Sequence, residues 1–385
     1  MSESAQSPVQ DKPVAGTPQA PTVPDSSTPW NGMKENLGLL VSITFLVLFP
    51  FLVAIFTNQS IQVVLSNGSG TSKFLQGLAI EIFILAVYAL SYDLILGITG
   101  LLSFGHAMFF AVGAYLTGIM LKSFGWSFLP TVGLVIFAGI LQALLFGIVL
   151  PRVKGITFAL VTLGLASVFY IVIQSQELGK YTGADVGLQG VISPEFLNSS
   201  SNRLTFYYVA LIFMFAVYFF YRRFVNSPTG RVCIALRENE DRARMLGYNT
   251  FYFKLIALTI SSVTAALAGV LHTLHQPVVT PNIASLAFTV TALLIILIGG
   301  IGTLSGAIIG AVVFRLLEYG LTRIPFLAGS SSIVTGAIYV LIVLFVPYGI
   351  VGTWHSRTFR SRQGRQHLQK VLVGREAEDQ VSVEE

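Results

Sequence analysis

Three long runs of this chain carry no charged residue: Leu37 to Phe56, Ile156 to Gln176 and Ile283 to Phe314. About 20 apolar residues cross a bilayer as a helix, so the third run holds more than one crossing. Only 11% of the 385 residues are charged, against about 25% in an ordinary soluble chain, which leaves too little polar surface to cover these runs in water. Lipid is therefore the expected solvent. It forces the backbone into helices or a closed barrel, and barrel strands alternate polar and apolar residues over about ten positions. Segments such as "FLQGLAIEIFILAVYALSY" do not alternate. The expected fold is all-α, a polytopic integral membrane protein.

Ten spans are expected, near 37–56, 77–97, 104–121, 127–150, 155–176, 205–221, 254–275, 284–301, 304–321 and 332–350. An even number puts both termini on one side, and the excess of Lys and Arg marks which side is cytoplasmic. With the N-terminus inside, 17 Lys and Arg fall on inner segments and five on outer ones (Lys73, Lys122, Lys180, Arg203 and Arg323), with Arg315 left within a span. That asymmetry predicts cytoplasmic termini. It also accounts for the net charge of +5 without any nucleic acid. Residues 1–34, rich in Pro, Ser, Thr and Gln, read as a disordered tail and not as a signal peptide. The membrane domain is expected over 35–352, with a charged cytoplasmic loop over 222–254 and a second tail over 353–385.

Small residues four apart let helices approach closely in lipid. Gly302, Gly306 and Gly310 have that spacing, as do Ser261, Ala265 and Gly269; a tight pair lining a path and ordinary membrane packing both account for it. In "LIGGIGTLSGAIIG" the glycines also permit a sharp break, which predicts two helices there at the cytoplasmic face.

Several chemistries lack their residues. The one Gly-Lys pair, Gly179-Lys180, has Gln174 where a phosphate loop needs its first glycine, and neither a G-x-S-x-G elbow nor an H-E-x-x-H pair occurs. Cys233 is the only cysteine, so no internal disulfide and no thiol metal centre is possible; it reads as a small residue facing a helix partner. His106, His272 and His275 read as hydrogen-bonded structural histidines, and no metal site is expected. Four ionisable residues fall inside spans, where each is a functional candidate. Arg315 and Glu318, three apart, are expected to pair; Glu81 is expected to reach water at the outer end of its span, and Asp93 to make a helix-end contact at the inner end.

A mover of solutes without its own phosphate loop needs coupling, and the cytoplasmic loop is where coupling would enter. "ALRENEDRARMLG" consists of helix formers, offers Glu240 to Arg244 as an i,i+4 pair and stops at Gly247, a natural C′ residue. Ser227-Pro228-Thr229-Gly230 ahead of it reads as a turn. The expectation is one short helix across the membrane face, with Ile234, Leu236, Met245 and Leu246 as its apolar contacts.

These residues resemble a known family. The run Asp241-Arg242-Ala243, Arg244-Met245-Leu246, Gly247 has the spacing of the E-A-A-x-x-x-G loop by which permeases of binding-protein-dependent ABC importers dock on their ATPases, with Asp for Glu and Arg for the first Ala. The wider window from Ser227 to Leu274 resembles the LivM-type permeases of branched-chain amino acid importers. So do "LILGITGLLSFGHAMFFAVGAY" (94–115) and "IGGIGTLSGAIIGA" (298–311), while "YTGADVGLQG" (181–190) is a looser match. The resemblance implies a transport subunit without ATPase activity or bound cofactor, working in a bacterial or archaeal inner membrane. Its implied partners are a second related permease, two ATP-binding subunits carrying ATP and Mg, and an extracytoplasmic solute-binding protein. Glu238, Asp241, Arg242, Ala243, Leu246 and Gly247 are its implied docking residues; the small and polar residues of "GITGLLSFGHA" make Gly100, Ser103, Gly105 and His106 the candidate pathway residues, with capping of the next span by Ser103 as the alternative reading. Importers of urea, amides or sugars share the architecture; an ion-coupled secondary transporter and a membrane scaffold are the alternatives outside this class.

Overall fold

The computed structural model describes residues 29–57, 67–68, 70–153, 155–323, 331–345 and 349–353. The chain divides into a unit ending at Phe49 and a unit from Pro50 onward. Of the first unit, only the start of α1 (Pro29–Phe56) is described. Pro29 to Lys34, within the tail expected over 1–34, lie in this helix. Proline at the first helical position has φ preset and loses no hydrogen bond. Residues 1–28 and 354–385 lie outside the described residues.

Among the described residues, nine further long helices follow the apolar runs. They are α2 (Thr71–Asp93), α3 (Ala107–Lys122), α4 (Phe128–Val149), α5 (Ile156–Gln174), α6 (Arg203–Val225), and, beyond the charged loop over 222–254, α9 (Thr250–His275), α10 (Leu286–Gly299), α11 (Leu304–Thr322) and α12 (Ser331–Phe345). The loop holds α7 (Pro228–Glu238) and α8 (Glu240–Met245). Six of the helices are long and apolar enough to cross a membrane unaided; α1 within Leu40–Phe56, α3 and α10 are apolar but shorter. At about 1.5 Å per residue, the 16 residues of α3 and 14 of α10 fall short of a hydrocarbon core about 30 Å thick. Lipid tolerates non-helical chain at the ends of such helices only inside protein.

Burial puts α2 at the centre. Continued by a π turn, Leu94–Ile98, it has 89% of the residues in its apolar 18-residue stretch buried, against 33% for α4 and 28% for α5, whose exposed leucines, isoleucines and phenylalanine face outward. Next to α2, α3 and α9 pack backbone against backbone. A Cβ on Gly113 would collide with the Ala266 carbonyl, and one on Gly269 with the Phe110 carbonyl. Ser261 Oγ donates to the Ser91 carbonyl at 2.5 Å, joining α9 to α2.

Glycine makes the break between α10 and α11, as expected: Gly300 and Gly302 take φ of 122° and 77°. The 302/306/310 stripe divides in function. Gly306 and Gly310 hold α11 against Gly299 and Ile295 of α10, whereas Gly302 belongs to the turn and packs no helix pair. At the other end of the bundle, residues 175–202 form short helical turns and a two-residue strand, β1 (Leu188–Gln189), antiparallel to β2 (Val278–Val279). Asn67 and Lys73 bond the Ser200 carbonyl there, and Lys122 bonds that of Gln189.

Candidate functional site

The loop over 222–254 folds as two helices where one was expected. Ser227 caps α7, its Oγ accepting from Gly230 N at 3.2 Å, with Pro228 at the first turn. The helix stops at Asn239 (φ −159°, ψ 102°), which then caps α8 by accepting from Arg242 N at 2.9 Å. Helix formers on both sides do not outweigh asparagine, whose amide competes for backbone N–H groups and strongly favours an N-cap. At the far end Gly247 takes φ 89°. Tyr248 N donates to Ala243 O at 3.2 Å and Gly247 N to Arg244 O at 3.0 Å, the paired bonds of a Schellman stop.

This stop turns two apolar side chains outward. Met245 is 87% and Leu246 72% exposed, so they are not the inward contacts expected of them; Leu236 is buried and Ile234 half-buried. Of the six implied docking residues, Glu238, Asp241, Arg242, Leu246 and Gly247 are exposed, while Ala243 is 3% exposed and packs beneath them. Glu240 accepts from Lys254 at 2.7 Å and Arg244 at 3.4 Å, which anchors α8 to the start of α9. Beside this anchor, Leu150, Pro151, Gly247, Tyr248 and Phe251 line an open cavity of about 440 Å³.

Cys233 does face a helix partner, with Sγ 3.8 Å from the Phe253 carbonyl. Burial pushes its thiol up to about 11. At pH 8 only about one thiol in a thousand is then the reactive thiolate, and the sulfur is enclosed. Maleimide is therefore expected to leave Cys233 unlabelled in the folded protein and to label it fully in SDS. Rapid native labelling would contradict this packing.

Three segments far apart in sequence meet above α7. Arg237 Nη1 donates to the Gly97 carbonyl in the π turn of α2. Gly302 N donates to Asp93 Oδ1 at 2.7 Å, the helix-end contact expected of Asp93. A Cβ on Gly100 (φ 78°) would meet Arg237 Cα at 3.0 Å. The end of α7 therefore rests on the C-terminal end of the central helix and on the α10–α11 turn. Asp93 and Arg237 were not grouped by sequence reasoning: Asp93 is buried within α2 while Arg237 lies exposed at the end of α7, 144 positions on, and no local pattern links them.

Beyond Gly100 the chain enters the protein as "LLSFGH". Ser103, Gly105 and His106 are buried, while Gly100 is exposed. The Ser103 carbonyl accepts from Tyr92 OH at 3.1 Å, and its Oγ accepts from Gly105 N at 3.3 Å. Ser103 therefore does not cap α3. Ala107 N, in the first turn, instead donates to Thr289 Oγ1 of α10 at 3.0 Å. His106 Nε2 lies 2.8 Å from Ser91 Oγ, with its ring among Tyr88, Tyr92 and Phe109, and so serves structurally as expected. The four candidates form one continuous strip from the α7 contact to the junction of α3 and α10.

Glu81 does not simply reach water. Arg315 donates to it from Nε at 2.8 Å and from Nη2, and to Glu318 from Nη1 at 2.6 Å, the last being the expected i,i+3 pair. Gln276 Nε2 donates to the other Glu81 oxygen at 2.7 Å.

A helical bundle with a buried central helix, six helices long and apolar enough to cross a membrane, and two short exposed helices at one end is the architecture of a multi-pass membrane protein. The family model described as the permease component of branched-chain amino acid transport systems matches residues 74–345. Well over half of the chain is covered, and the chain belongs to this family. The high-affinity branched-chain amino acid transport system permease protein LivM of Salmonella typhimurium is 28% identical over 83% of this chain and 75% of its own length. Its Escherichia coli counterpart is 27% identical over the same shares. The corresponding LivH protein of Salmonella typhimurium is 26% identical over 69% of this chain and 91% of its own length. No solved structure matches the chain.

Proposed function

We propose that this chain is one permease subunit of an ATP-driven importer for branched-chain amino acids, sitting in an inner membrane with ten transmembrane helices and both termini in the cytoplasm. The observation that carries the reading is the coupling end. Two short helices expose Met245, Leu246 and the Gly247 turn to a partner, while their inner side grips α2 and the α10–α11 turn through Arg237. The excess of Lys and Arg on the segments at that end supports its being cytoplasmic.

The partners are two ATPase subunits, which bind ATP and Mg, a second permease related to this one, and a solute-binding protein. Similarity to both LivM and LivH supports pairing of two related permeases. The solute-binding protein would deliver its cargo at the opposite end, over Tyr181 to Ser200. ATP-driven closure of the ATPases moves α7 and α8; Arg237 passes that motion to Gly100, and the strip through Ser103, Gly105 and His106 opens or shuts the inner end of the path. This chain supplies no ATPase step and holds no cofactor of its own.

The test is reconstitution of the complete complex in liposomes, with uptake of labelled leucine and urea measured with and without ATP. ATP-dependent leucine uptake well above urea uptake is the expected result. Urea uptake exceeding leucine uptake, or leucine uptake that follows an ion gradient and ignores ATP, would sink the proposal.

A further inference from the structure

The charged cluster away from the coupling end has no part in the docking just described. Arg315 spends three of the five N–H groups of a guanidinium on Glu81 and Glu318, which leaves one on each terminal nitrogen. The side chains are not sealed: Arg315 is 28%, Glu81 21% and Glu318 42% exposed. Ionised groups at the edge of a span do not face hydrocarbon; they face water or protein. Cavities lie on both sides of the cluster. One of about 550 Å³ is lined by Ser200, Arg203, Pro277 and Val278 near the β1–β2 end. The other, of about 300 Å³, is lined by Ile84, Leu85, Phe110, Phe288, Thr291 and Phe314. Glu81, Gln276 and Arg315 belong to both and stand between them.

We infer that the smaller cavity binds a zwitterionic α-amino acid with an apolar side chain, its carboxylate on Arg315, its ammonium on Glu318 and Glu81, and its side chain against Phe110, Phe288 and Ile84. The inference rests on the amino-acid permease reading and adds the site to it. Charge balance selects the zwitterion. Drawing Arg315 away from Glu81 leaves a half-buried acid without its partner, at a cost in free energy, unless the incoming molecule supplies a cation for the acid as well as an anion for the arginine. An amino acid head group supplies both. A carboxylic acid or an amine alone supplies one, and urea neither. The same exchange takes down the Glu81–Arg315 bar between the two cavities, so occupancy and passage are one event.

Thr291→Cys provides the reporter, because the native thiol, Cys233, is buried and position 291 lines the smaller cavity. In the complete complex, assembled with cysteine-free partner subunits, the labelling rate by a small neutral methanethiosulfonate is measured with millimolar leucine, 4-methylpentanoate, 3-methylbutylamine or urea. Leucine is expected to slow labelling about fivefold or more, as occupancy at several times a dissociation constant requires; the other three leave it near the free rate. Adding Arg315→Gln or the more exposed Glu318→Gln removes the leucine effect in complexes that still assemble. Labelling that ignores leucine, slowing by the acid or amine equal to that by leucine, or protection that survives both substitutions would each overturn the site. Leucine uptake is read in parallel on the complex without the reporter. Uptake without protection rejects the site and keeps the importer reading; protection without uptake does the reverse.

Discussion

Replacing Gly269 by leucine is expected to leave almost no folded permease, while Gly164→Leu in α5 leaves the yield near that of the parent. A Cβ on Gly269 would collide with the Phe110 carbonyl and come within 2.8 Å of Ala114 N, both backbone atoms of α3; a Cβ on Gly164 meets nothing within 4 Å. Overpacking a core typically costs about 1–3 kcal/mol when side chains can shift. Here the obstacle is a helix backbone, so relief requires parting α3 from α9. That separation would also pull Thr273 Oγ1 from the Ala114 carbonyl, 3.0 Å away, and would strain the Gly113 contact on the same seam. Against a total stability of about 5–15 kcal/mol, losing this interface is decisive. The measurement is the monodisperse fraction on size-exclusion chromatography in mild detergent, with a fluorescent fusion reporting yield. Equal yields for the two variants would show that the α3–α9 approach is not built as described.

How much of this was readable in advance depends on whether the cause is local. Among the described residues the apolar runs became helices, six of them long and apolar enough to cross a membrane, because hydropathy acts residue by residue. The break after Gly299 and the stop at Gly247 were legible because only glycine takes positive φ freely. Asn239 carried the correct signal, an N-cap residue followed by Glu240 and Asp241 in the first turn, yet the surrounding helix formers masked it. The outward turn of Met245 and Leu246 could not be read from an amphipathic pattern, because α8 has only six residues and the left-handed turn after it sets their direction.

Long-range partners were less accessible. Glu81 and Arg315 are 234 positions apart, and the Thr289 cap on Ala107 spans 182. For Glu81 a usable hint existed: it and Arg315 are unlike charges at similar depths in two spans, and a charge within lipid seeks its complement. The meeting of Arg237, Gly97, Gly100 and Gly302 had no comparable hint. Each glycine looked locally like a turn or a packing residue, and only the fold shows that Gly100 and Gly302 leave room for Arg237 while Gly97 leaves room for Asp93 and Gly302.

Gly247→Asp is expected to leave the permease folded and to abolish ATP-driven uptake. The backbone there has φ 89°, and a Cβ at this position would have no atom within 4 Å, so the substitution clashes with nothing among the described residues. Its internal cost is the left-handed conformation, about 1–2 kcal/mol for a residue with a Cβ, plus a negative charge placed at a helix C-terminus, about 0.3–1 kcal/mol. A domain stable by several kcal/mol survives that. The docking surface does not survive it so easily, because the Schellman turn sets the direction of Met245 and Leu246, and a rigid socket tolerates little rotation of either. Thermal unfolding of the detergent-solubilised chain should therefore shift by a few degrees at most, while co-purification with the ATPases falls sharply and uptake falls further. Met245→Ala with Leu246→Ala should reproduce the loss of docking without altering the turn. Normal assembly and uptake in Gly247→Asp would mean that the ATPases dock elsewhere; normal assembly with lost uptake would mean that the turn transmits motion without providing the grip.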